Sequence, residues 1–391
     1  MTSKTELNAK EILDYFKVNQ KKMISFLERL VVHESPSGNH DSQVKILKLI
    51  GGELKKLGFH VMYFPGKQTG GHLYARPQNR FKDKPLQLIV GHCDTVWEMD
   101  TLSTMPIREK NGRMTGPGIY DMKAGLTQLV FSLKAIKELG LSISLEPIII
   151  INSDEEIGSR ESTQTISRIA KITKRAFVLE PPLGLDGKLK TARKGVGRFT
   201  ITVKGKAAHA GLDPEKGINA IVELSNVVQQ LYAMNDFENG ITVNVGMIQG
   251  GISANVVAPE SKAVIDVRVL NQADGDKITE QIYALRPSMP DVELYIDGGI
   301  GRPPLERTER NRLLWQLAKT KGALLGLKLE EGIAGGGSDG NTTSMYTATL
   351  DGLGTTGDGA HAVHEFIFLN ELPVRTALLT LLLLAKAINS N

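Results

Sequence analysis

Three apolar runs in this sequence end in imidazole or carboxylate side chains. His92 and Asp94 follow the first run, Glu155 and Glu156 follow four isoleucines, and Glu180 follows the third. Short, β-branched apolar runs are typical of strands buried on both faces of a parallel sheet. Open sheets of this kind bind their ligands just past the carboxyl ends of the strands. We therefore expect one sheet edge to carry clustered nitrogen and oxygen donors, which is the outline of a metal-dependent active site.

The motif His92-Cys93-Asp94 ends the first run. Strand alternation places His92 and Asp94 on one face and turns Cys93 away. A metal-bound histidine usually donates its second ring N–H to a carboxylate, and Asp94 is placed for that contact. A buried histidine–aspartate pair without a metal is the alternative. Cys93 is not expected to act as a nucleophile, because it points away from the site and has no evident base.

The segment Asp154-Glu155-Glu156 is the strongest single motif. Adjacent side chains diverge, so one glutamate can ligate a metal while the other takes a proton from an activated water. A solvated surface pair is the alternative, but the preceding isoleucines argue against it. Glu180 ends another buried strand, where an unpaired carboxylate would be costly, so we expect it to have a cation partner.

Two glycine-rich segments complete the donor set. The first contains Asp121, whose two oxygens could span two cations; an N-cap of the following helix is the alternative role. The second offers two late imidazoles, His361 and His364. Histidine and carboxylate ligands without thiolate suit zinc, and also cobalt or manganese. Two such ions about 3.5–4 Å apart would hold a bridging water and polarise a carbonyl.

Composition argues against several other classes of protein. The chain is 41% hydrophobic and 23% charged, with a net charge of +4 and no basic cluster interleaved with aromatics, so we expect no nucleic-acid partner. The single cysteine, Cys93, rules out a disulfide within the chain and fits a reducing compartment. The first ten residues are polar, and the apolar stretch 378–388 is shorter than the roughly 20 residues of a membrane span. We expect a cytoplasmic enzyme without a membrane partner.

The elements that must position these residues alternate between strand and helix. Strands are predicted near residues 59–64, 72–76, 86–91, 147–152 and 176–180. Helices are predicted near residues 10–32, 42–57 and 122–139 and after residue 158. This alternation predicts an α/β fold with a mainly parallel, helix-covered sheet.

After Gly195 the predicted order changes to βαββαβ, the order of a ferredoxin-like unit. Its elements lie near residues 199–204, 213–234, 241–249, 262–270, 274–286 and 291–297. The first of its helices is expected to open at Asp213-Pro214. Helices near residues 309–325 and in the C-terminal apolar stretch follow. We predict a discontinuous large domain, residues 1–193 and 303–391, with a small domain inserted at residues 194–302.

With these motifs in place, the sequence resembles the di-zinc metallopeptidase and deacylase family of glutamate carboxypeptidase, acetylornithine deacetylase, succinyl-diaminopimelate desuccinylase and aminoacylase. The motifs that carry the resemblance are GHCDTV, GPGIYDMKAG, SDEEIGS, VLEP, GKAAHAG, SANVV, DVRV, GGGSDGN and AHAVHEF. Each motif is weak alone, but the ordered set is specific. GKAAHAG followed by GINA, together with GRPP and GGGSD, makes the likeness greatest to bacterial glutamate carboxypeptidases.

The resemblance implies a zinc exopeptidase-like fold with two zinc ions per subunit and a role for each matched residue. The implied metal ligands are His92 and Glu180 on the first ion, Glu156 and His361 on the second, and Asp121 between them. The family's late histidine usually precedes a glutamate by four residues, which favours His361 over His364. Asp94 would orient His92, and Glu155 would be the general base and acid.

In the inserted domain, the resemblance implies that His209 reaches the partner subunit's active site and donates to the oxyanion. A turn histidine is the alternative. Asn255 and Arg268 match substrate-contacting positions, and a guanidinium suits a substrate carboxylate. The glycines 335–337, with Gly336 at their centre, could offer backbone N–H groups to the same carboxylate. Arg268 could equally be a strand-surface residue.

The implied activity is metal-dependent hydrolysis of amide bonds by a homodimer assembled through its inserted domain. A carboxypeptidase that releases a C-terminal amino acid such as glutamate is favoured, acting on a small molecule or short peptide with a free carboxylate. An N-acyl amino acid deacylase is the alternative, and motif spacing does not separate the two. A metal-binding scaffold without turnover is disfavoured by Glu155, and a serine hydrolase built on Ser338 lacks a nucleophile elbow.

Overall fold

The computed structural model describes residues 4–81 and 83–388 and divides into two compact units. The first unit comprises Met1–Thr191, Arg307–Ile333 and Ser338–Asn391, and the second comprises Ala192–Glu306 and Ala334–Gly337. The domain boundaries predicted from sequence fall at 193/194 and 302/303. Residues 1–3 of the polar N-terminal segment lie outside the described residues.

Helices and strands alternate along much of the chain. The helices are α1 (Lys4–Val32), α2 (His40–Lys56), α3 (Ala124–Glu138), α4 (Thr163–Ala170), α5 (Ala220–Ala233), α6 (Gln272–Tyr283), α7 (Glu309–Ala323), α8 (Asp339–Ser344) and α9 (Glu371–Leu384). The strands are β1 (Phe59–Phe64), β2 (His72–Pro77), β3 (Leu86–His92), β4 (Arg108–Lys110), β5 (Arg113–Thr115), β6 (Glu146–Asn152), β7 (Arg175–Val178), β8 (Leu189–Arg193), β9 (Gly195–Lys204), β10 (Thr242–Gly250), β11 (Glu260–Val269), β12 (Glu293–Arg302), β13 (Glu331–Ala334), β14 (Ala348–Leu350), β15 (Gly357–Asp358) and β16 (Phe366–Phe368).

The first unit is built on a six-stranded sheet with the spatial order β1-β2-β6-β3-β7-β14. The last four strands of this order run parallel to one another, while β1 and β2 are antiparallel to their neighbours. Every residue of β3 and β6 is buried, which explains why these segments lack a polar alternation. The predicted mainly parallel sheet is confirmed.

The C-terminal helix α9 is buried on nearly all its faces and packs against α1 and α3. A helix surrounded by protein needs no polar face, which explains why six of its last seven residues are leucines. Among the described helices, each is too short or too polar to cross a bilayer.

A second, small sheet of the first unit has the order β15-β16-β5-β4, and its strands are two or three residues long. None of these strands is predicted from sequence, because two or three residues are too few to show a period of two. The sheet matters for the site, since the loop between β15 and β16 carries His361.

The second unit contains an antiparallel four-stranded sheet with the order β10-β11-β9-β12. Together with α5 and α6, this is the ferredoxin-like arrangement predicted from the chain order. Alternate residues of β9 are buried in the unit's own hydrophobic core, among them Phe199 and Ile201. The second unit therefore has the one-sided burial that its alternating sequence predicts.

The predicted start of the first helix in this unit is wrong. Asp213-Pro214 opens a separate 3-10 turn, and Gly217 then adopts an extended conformation that ends this turn before α5. Helix α5 begins only after Asn219, whose side chain accepts hydrogen bonds from two following backbone N–H groups. A second, stronger N-cap thus lies six residues beyond the predicted one.

Buried Arg175 of β7 joins the central sheet to the end of α9. Its guanidinium donates to the Gln87 side chain at 2.8 and 3.0 Å and to the carbonyls of Leu382, Ala385 and Lys386 at 2.8–3.0 Å. Replacement by methionine removes the donor from Gln87 Oε1 and from these carbonyls, of which only that of Leu382 keeps a backbone N–H partner among the described residues, so we expect Arg175→Met to lower the free energy of unfolding by about 3 kcal/mol.

Urea unfolding followed by circular dichroism measures this loss, with Arg168→Met on the exposed side of α4 as the matched control. A loss for Arg175→Met no larger than that of the control would contradict the role of this arginine.

Candidate active site

The candidate site begins where three neighbouring strands end. In the register of β3 and β6, His92 lies beside Asn152, and the Cys93 N–H donates to the Asn152 carbonyl at 2.8 Å. On the other side of β3, the N–H of Leu179 donates to the carbonyl of Val90 at 3.1 Å. The polar segments that follow these strands therefore start side by side.

A first group of donors surrounds the ring of His92. Its Nε2 lies 3.2 Å from Oδ1 of Asp121 and 3.4 Å from Oε1 of Glu180. The His92 side chain is 1% exposed, so this group is shielded from solvent. One ligand atom from each residue lies within 4.8 Å of the others, a spacing that a single metal ion can bridge.

A second group surrounds His361. Its Nε2 lies 3.1 Å from Oε2 of Glu156 and 3.6 Å from Oδ2 of Asp121. The His361 side chain is 53% exposed, whereas that of Glu156 is 7% exposed. The two groups together form a site that is closed on the side of His92 and open on the side of His361.

Asp121 belongs to both groups and presents a different oxygen to each histidine. Helix α3 starts at Ala124 with Lys123 at the N-cap, so the Asp121 side chain does not cap it. Each group has one imidazole, one carboxylate of its own and the shared carboxylate. Three protein ligands with room for a further one is the donor pattern of a catalytic zinc ion. The residues present thus fit a pair of divalent ions.

Asp94 contacts residues of both donor groups. His92 Nδ1 lies 3.0 Å from the Asp94 backbone carbonyl and 3.4 Å from its carboxylate, so both oxygens face the ring. The carboxylate also accepts the backbone N–H groups of Glu155 at 3.2 Å and Glu156 at 3.1 Å, and the Ser37 hydroxyl at 2.8 Å. One buried carboxylate thereby fixes both the first histidine and the segment that carries the two glutamates.

The electrostatics of the site favour positive charge at both histidines. Burial opposes a charged ring at His92, but hydrogen bonds with Asp121, Asp94 and Glu180 hold its pKa well above the usual range. The hydrogen bond with Glu156 raises the pKa of His361 to about 9, against the opposing effect of burial. Carboxylates that hold a proton on imidazole so strongly also attract a metal cation, which replaces that proton when it binds.

Other candidates from the sequence lie elsewhere. His364 belongs to neither donor group among the described residues. Cys93 is buried, and burial raises the pKa of its thiol far above the usual range. Ser338 is the N-cap of α8, and its hydroxyl donates to Asp351 at 2.6 Å. A buried thiol of this kind and a capping hydroxyl are poor nucleophiles.

Three buried carboxylates near the site have no role in the sequence-based assignment. Asp154 accepts the N–H groups of Glu161 and Ser162 and so closes the loop after the two glutamates. Asp339 accepts the Ser159 hydroxyl at 2.5 Å and the Asn152 amide at 2.8 Å. The third is Glu365, four residues after His361. Their only signal in the sequence is their place inside motifs, since burial of a loop residue has no periodicity.

In the second unit, His209 and Asn255 lie on neighbouring segments. The N–H of Ala210 donates to the Asn255 carbonyl at 2.9 Å, and His209 forms a β-bridge with Val256. Nδ1 of His209 accepts the N–H groups of Gly211 and Leu212, both at 3.1 Å. A ring nitrogen that accepts two N–H groups carries no proton, so Nε2 of this exposed ring carries it and is a donor.

The two other predicted substrate contacts also lie in the second unit. Arg268 of β11 makes a bidentate ion pair with Asp266 at 2.7 and 3.0 Å. Gly336 is exposed. Its carbonyl and that of Gly337 accept hydrogen bonds from Nη1 of Arg193 at 3.1 and 3.2 Å. The backbone of the glycine-rich turn is thus held through its carbonyls.

The fold and the two donor groups define a metallohydrolase of the dinuclear type, and comparison with known proteins agrees. Residues 191–288 match the M20 peptidase dimerisation domain. Carboxypeptidase G2 of Pseudomonas sp. (strain RS-16) is 29% identical over 366 residues, which cover 91% of this chain and 87% of the relative. Acetylornithine deacetylase of Pectobacterium carotovorum is 25% identical over 287 residues, or 66% of this chain and 72% of the relative.

Two solved structures illustrate the shared fold. Aminopeptidase PepT from Bacillus cereus superimposes with a TM-score of 0.77 at 21% identity, covering 93% of this chain and 98% of the other. The YXEP protein of Bacillus subtilis, a dinuclear metal binding peptidase from the M20 family, gives a TM-score of 0.69 at 17% identity, with coverages of 94% and 98%. The chain is thus similar in sequence to M20 metallohydrolases, and its residues 191–288 match their dimerisation domain, which confirms the resemblance seen in the sequence.

The two late histidines offer a matched test of the second donor group. We expect His361→Ala to lower the metal content from two ions per chain to one, because it removes the only imidazole within reach of Glu156 in the two groups. His364→Ala should retain two ions, since it lies outside both groups. Metal analysis of dialysed, zinc-loaded protein measures the content. Equal loss of metal in both variants would contradict the assignment.

Proposed function

We propose that this protein is a di-zinc carboxypeptidase that hydrolyses the amide bond before a C-terminal amino acid such as glutamate, with the first unit as its catalytic domain. The observation that carries the proposal is the orientation of the Asp121 carboxylate, which turns one oxygen toward His92 and the other toward His361. A carboxylate shared in this way is suited to bridge two ions. Imidazole and carboxylate ligands without thiolate suit zinc, and also cobalt or manganese.

Two bound ions would polarise the scissile carbonyl and make the attacking water more acidic. The chain itself supplies the proton transfers through Glu155. Its backbone N–H is held by Asp94, and it directly precedes the proposed ligand Glu156 in the chain. We infer that the Glu155 carboxylate accepts the proton of the attacking water and then donates it to the nitrogen of the leaving amine.

His209 is proposed to complete the reaction from the second unit of a partner subunit. Because Nδ1 accepts two backbone N–H groups, Nε2–H is fixed as a donor. A donor of this kind can stabilise the oxyanion that forms when water adds to the carbonyl. The ring needs no change of tautomer for this role.

The substrate's free carboxylate is proposed to bind to residues of the second unit. Arg268 is oriented by its ion pair with Asp266, and guanidinium groups suit carboxylates. Asn255 and Gly336 are the further candidates, and both are exposed. A small molecule or short peptide that ends in a carboxylate fits this set.

An N-acyl amino acid deacylase is the second candidate, and similarity to acetylornithine deacetylase supports it. Both reactions cleave an amide whose leaving amine bears a carboxylate. A panel of peptides ending in glutamate and of N-acetyl amino acids, with mass detection of the released amine, separates the two. Faster turnover of the acetylated compounds would favour the deacylase.

The general base can be tested by an isosteric change. We expect Glu155→Gln to reduce kcat by about 10³-fold, because an amide cannot accept the proton of water at neutral pH. The metal content should stay at two ions per chain, since Glu155 belongs to neither donor group. Glu98→Gln at an exposed position is the control. Wild-type turnover by Glu155→Gln would reject the proposed base.

Assembly through the second unit is supported by an apolar edge. Strand β10 lies at the edge of its sheet, and Met247 and Ile248 on it are 58% and 57% exposed. Ile221 and Val222 of the adjoining helix α5 are also exposed. Unpaired edges with exposed apolar residues are usually covered in natural proteins. We infer that a second copy covers this edge in a homodimer.

We expect Ile248→Asp to convert the dimer to a monomer, because it places a charge in the centre of the apolar edge. Tyr295→Asp, at a residue 52% exposed on the opposite edge strand β12, should leave the dimer intact. Light scattering coupled to size-exclusion chromatography gives the mass of each variant. An unchanged dimer in Ile248→Asp would place the interface elsewhere.

A further inference from the structure

Glu365 has a carboxylate near the site whose two oxygens are both fully satisfied. It is fully buried. Oε1 accepts the backbone N–H groups of Tyr120 at 2.8 Å and Asp121 at 3.0 Å. Oε2 accepts the backbone N–H of Gly118 at 2.9 Å and the indole N–H of Trp97 at 2.8 Å. Each oxygen therefore receives two N–H donors.

These contacts connect the two loops that carry the shared ligand and the exposed ligand. Glu365 lies in the loop between β15 and β16, four residues after His361. Three of its four donors lie in the segment from Gly118 to Asp121, and the fourth is the indole of Trp97. A single side chain thus ties the backbone N–H of Asp121 to the loop that carries His361.

The loop of His361 has few other restraints on its shape. It consists of short turns, with the Ala362 N–H donating to Gly359 at 2.8 Å and the Glu365 N–H donating to Ala362 at 2.9 Å. His361 itself has a φ of +60°, in the left-handed region that a histidine seldom adopts. The imidazole is half exposed, so packing contributes little to its position. The anchored end at Glu365 therefore links this loop to the backbone of the segment that carries Asp121.

The donor set explains why this position holds a glutamate. All four partners are N–H groups, so the position needs a group that only accepts. A glutamine of the same shape would turn its NH₂ group toward two N–H donors and leave them unpaired. Burial raises the pKa of the Glu365 carboxyl to about 7, and the four N–H donors oppose that shift.

We propose that Glu365 is a positioning residue that sets the distance between Asp121 and His361, and thereby the affinity of the second metal site formed by Asp121, Glu156 and His361. The inference rests on the proposed function, because it requires that this site holds an ion. Glu365 touches no proposed ligand side chain, so its effect acts through the backbone of Asp121 and the loop of His361. The first site, on His92 and Glu180, should be affected less.

The test is calorimetric titration of metal-free, full-length protein with zinc. We expect wild type to bind two ions and Glu365→Gln to bind the second about 10–100-fold more weakly, the usual effect of losing a partner that orients a metal ligand. Binding of the first ion should stay within about threefold of wild type. Glu223→Gln is the matched control, since this buried carboxylate in the second unit also accepts two backbone N–H groups and a hydroxyl.

The control should bind both ions as wild type does, even if its thermal unfolding temperature falls. A folded Glu365→Gln protein that binds both ions with wild-type affinity overturns the inference and leaves the proposed function standing. A wild-type protein that binds fewer than two ions overturns the proposed function, and the inference with it.

Should Glu365→Gln fail to fold, Trp97→Phe decides the matter. It removes one of the four donors and keeps the carboxylate. We expect it to lower the affinity for the second ion alone, by about threefold to tenfold. Unchanged binding of the second ion by a folded Trp97→Phe protein counts against a positioning role.

Discussion

Concentrated negative charge in a place shielded from water is the constraint on which this site depends. Asp121, Glu156 and Glu180 are each no more than 14% exposed, and the imidazoles of His92 and His361 lie among them. Carboxylates in such surroundings repel one another and are poorly hydrated, so they need cations. The same carboxylates raise the pKa values of both histidine rings. The same imbalance would draw in a pair of divalent ions.

Backbone amides decide where this negative charge is held. Asp94 accepts the N–H groups of both glutamates that follow β6, and Glu365 accepts those of the segment that ends at Asp121. Amide N–H groups are held rigidly by the chain, whereas side-chain donors rotate. Carboxylates that are not themselves ligands thus fix the loops that carry the ligands. This arrangement helps to bring donors from five separate segments of the chain into two compact groups.

In the proposed function, the two units have separate chemical tasks. The first unit contains both donor groups, and the second carries His209, Asn255 and Arg268 on its own sheet and loops. Each unit has its own hydrophobic core, so changes in the exposed edge and loops of the second unit need not disturb the core of the first. Such a division suits a group of enzymes with one hydrolytic centre and different substrates.

The sequence alone determined the mainly parallel sheet, the ferredoxin-like unit and the segments that carry the donors. Buried strands and alternating strands leave strong periodic patterns, and the donors follow those patterns directly. The start of α5 and the short strands around His361 were not determined in this way, because caps compete locally and two-residue strands have no period. Only the tertiary structure decided that Asp121 faces both histidines, that His361 rather than His364 meets Glu156, and that Glu365 joins their loops. These are contacts between residues up to about 240 positions apart, such as Asp121 and Glu365. They depend on how loops pack rather than on any local preference of the chain.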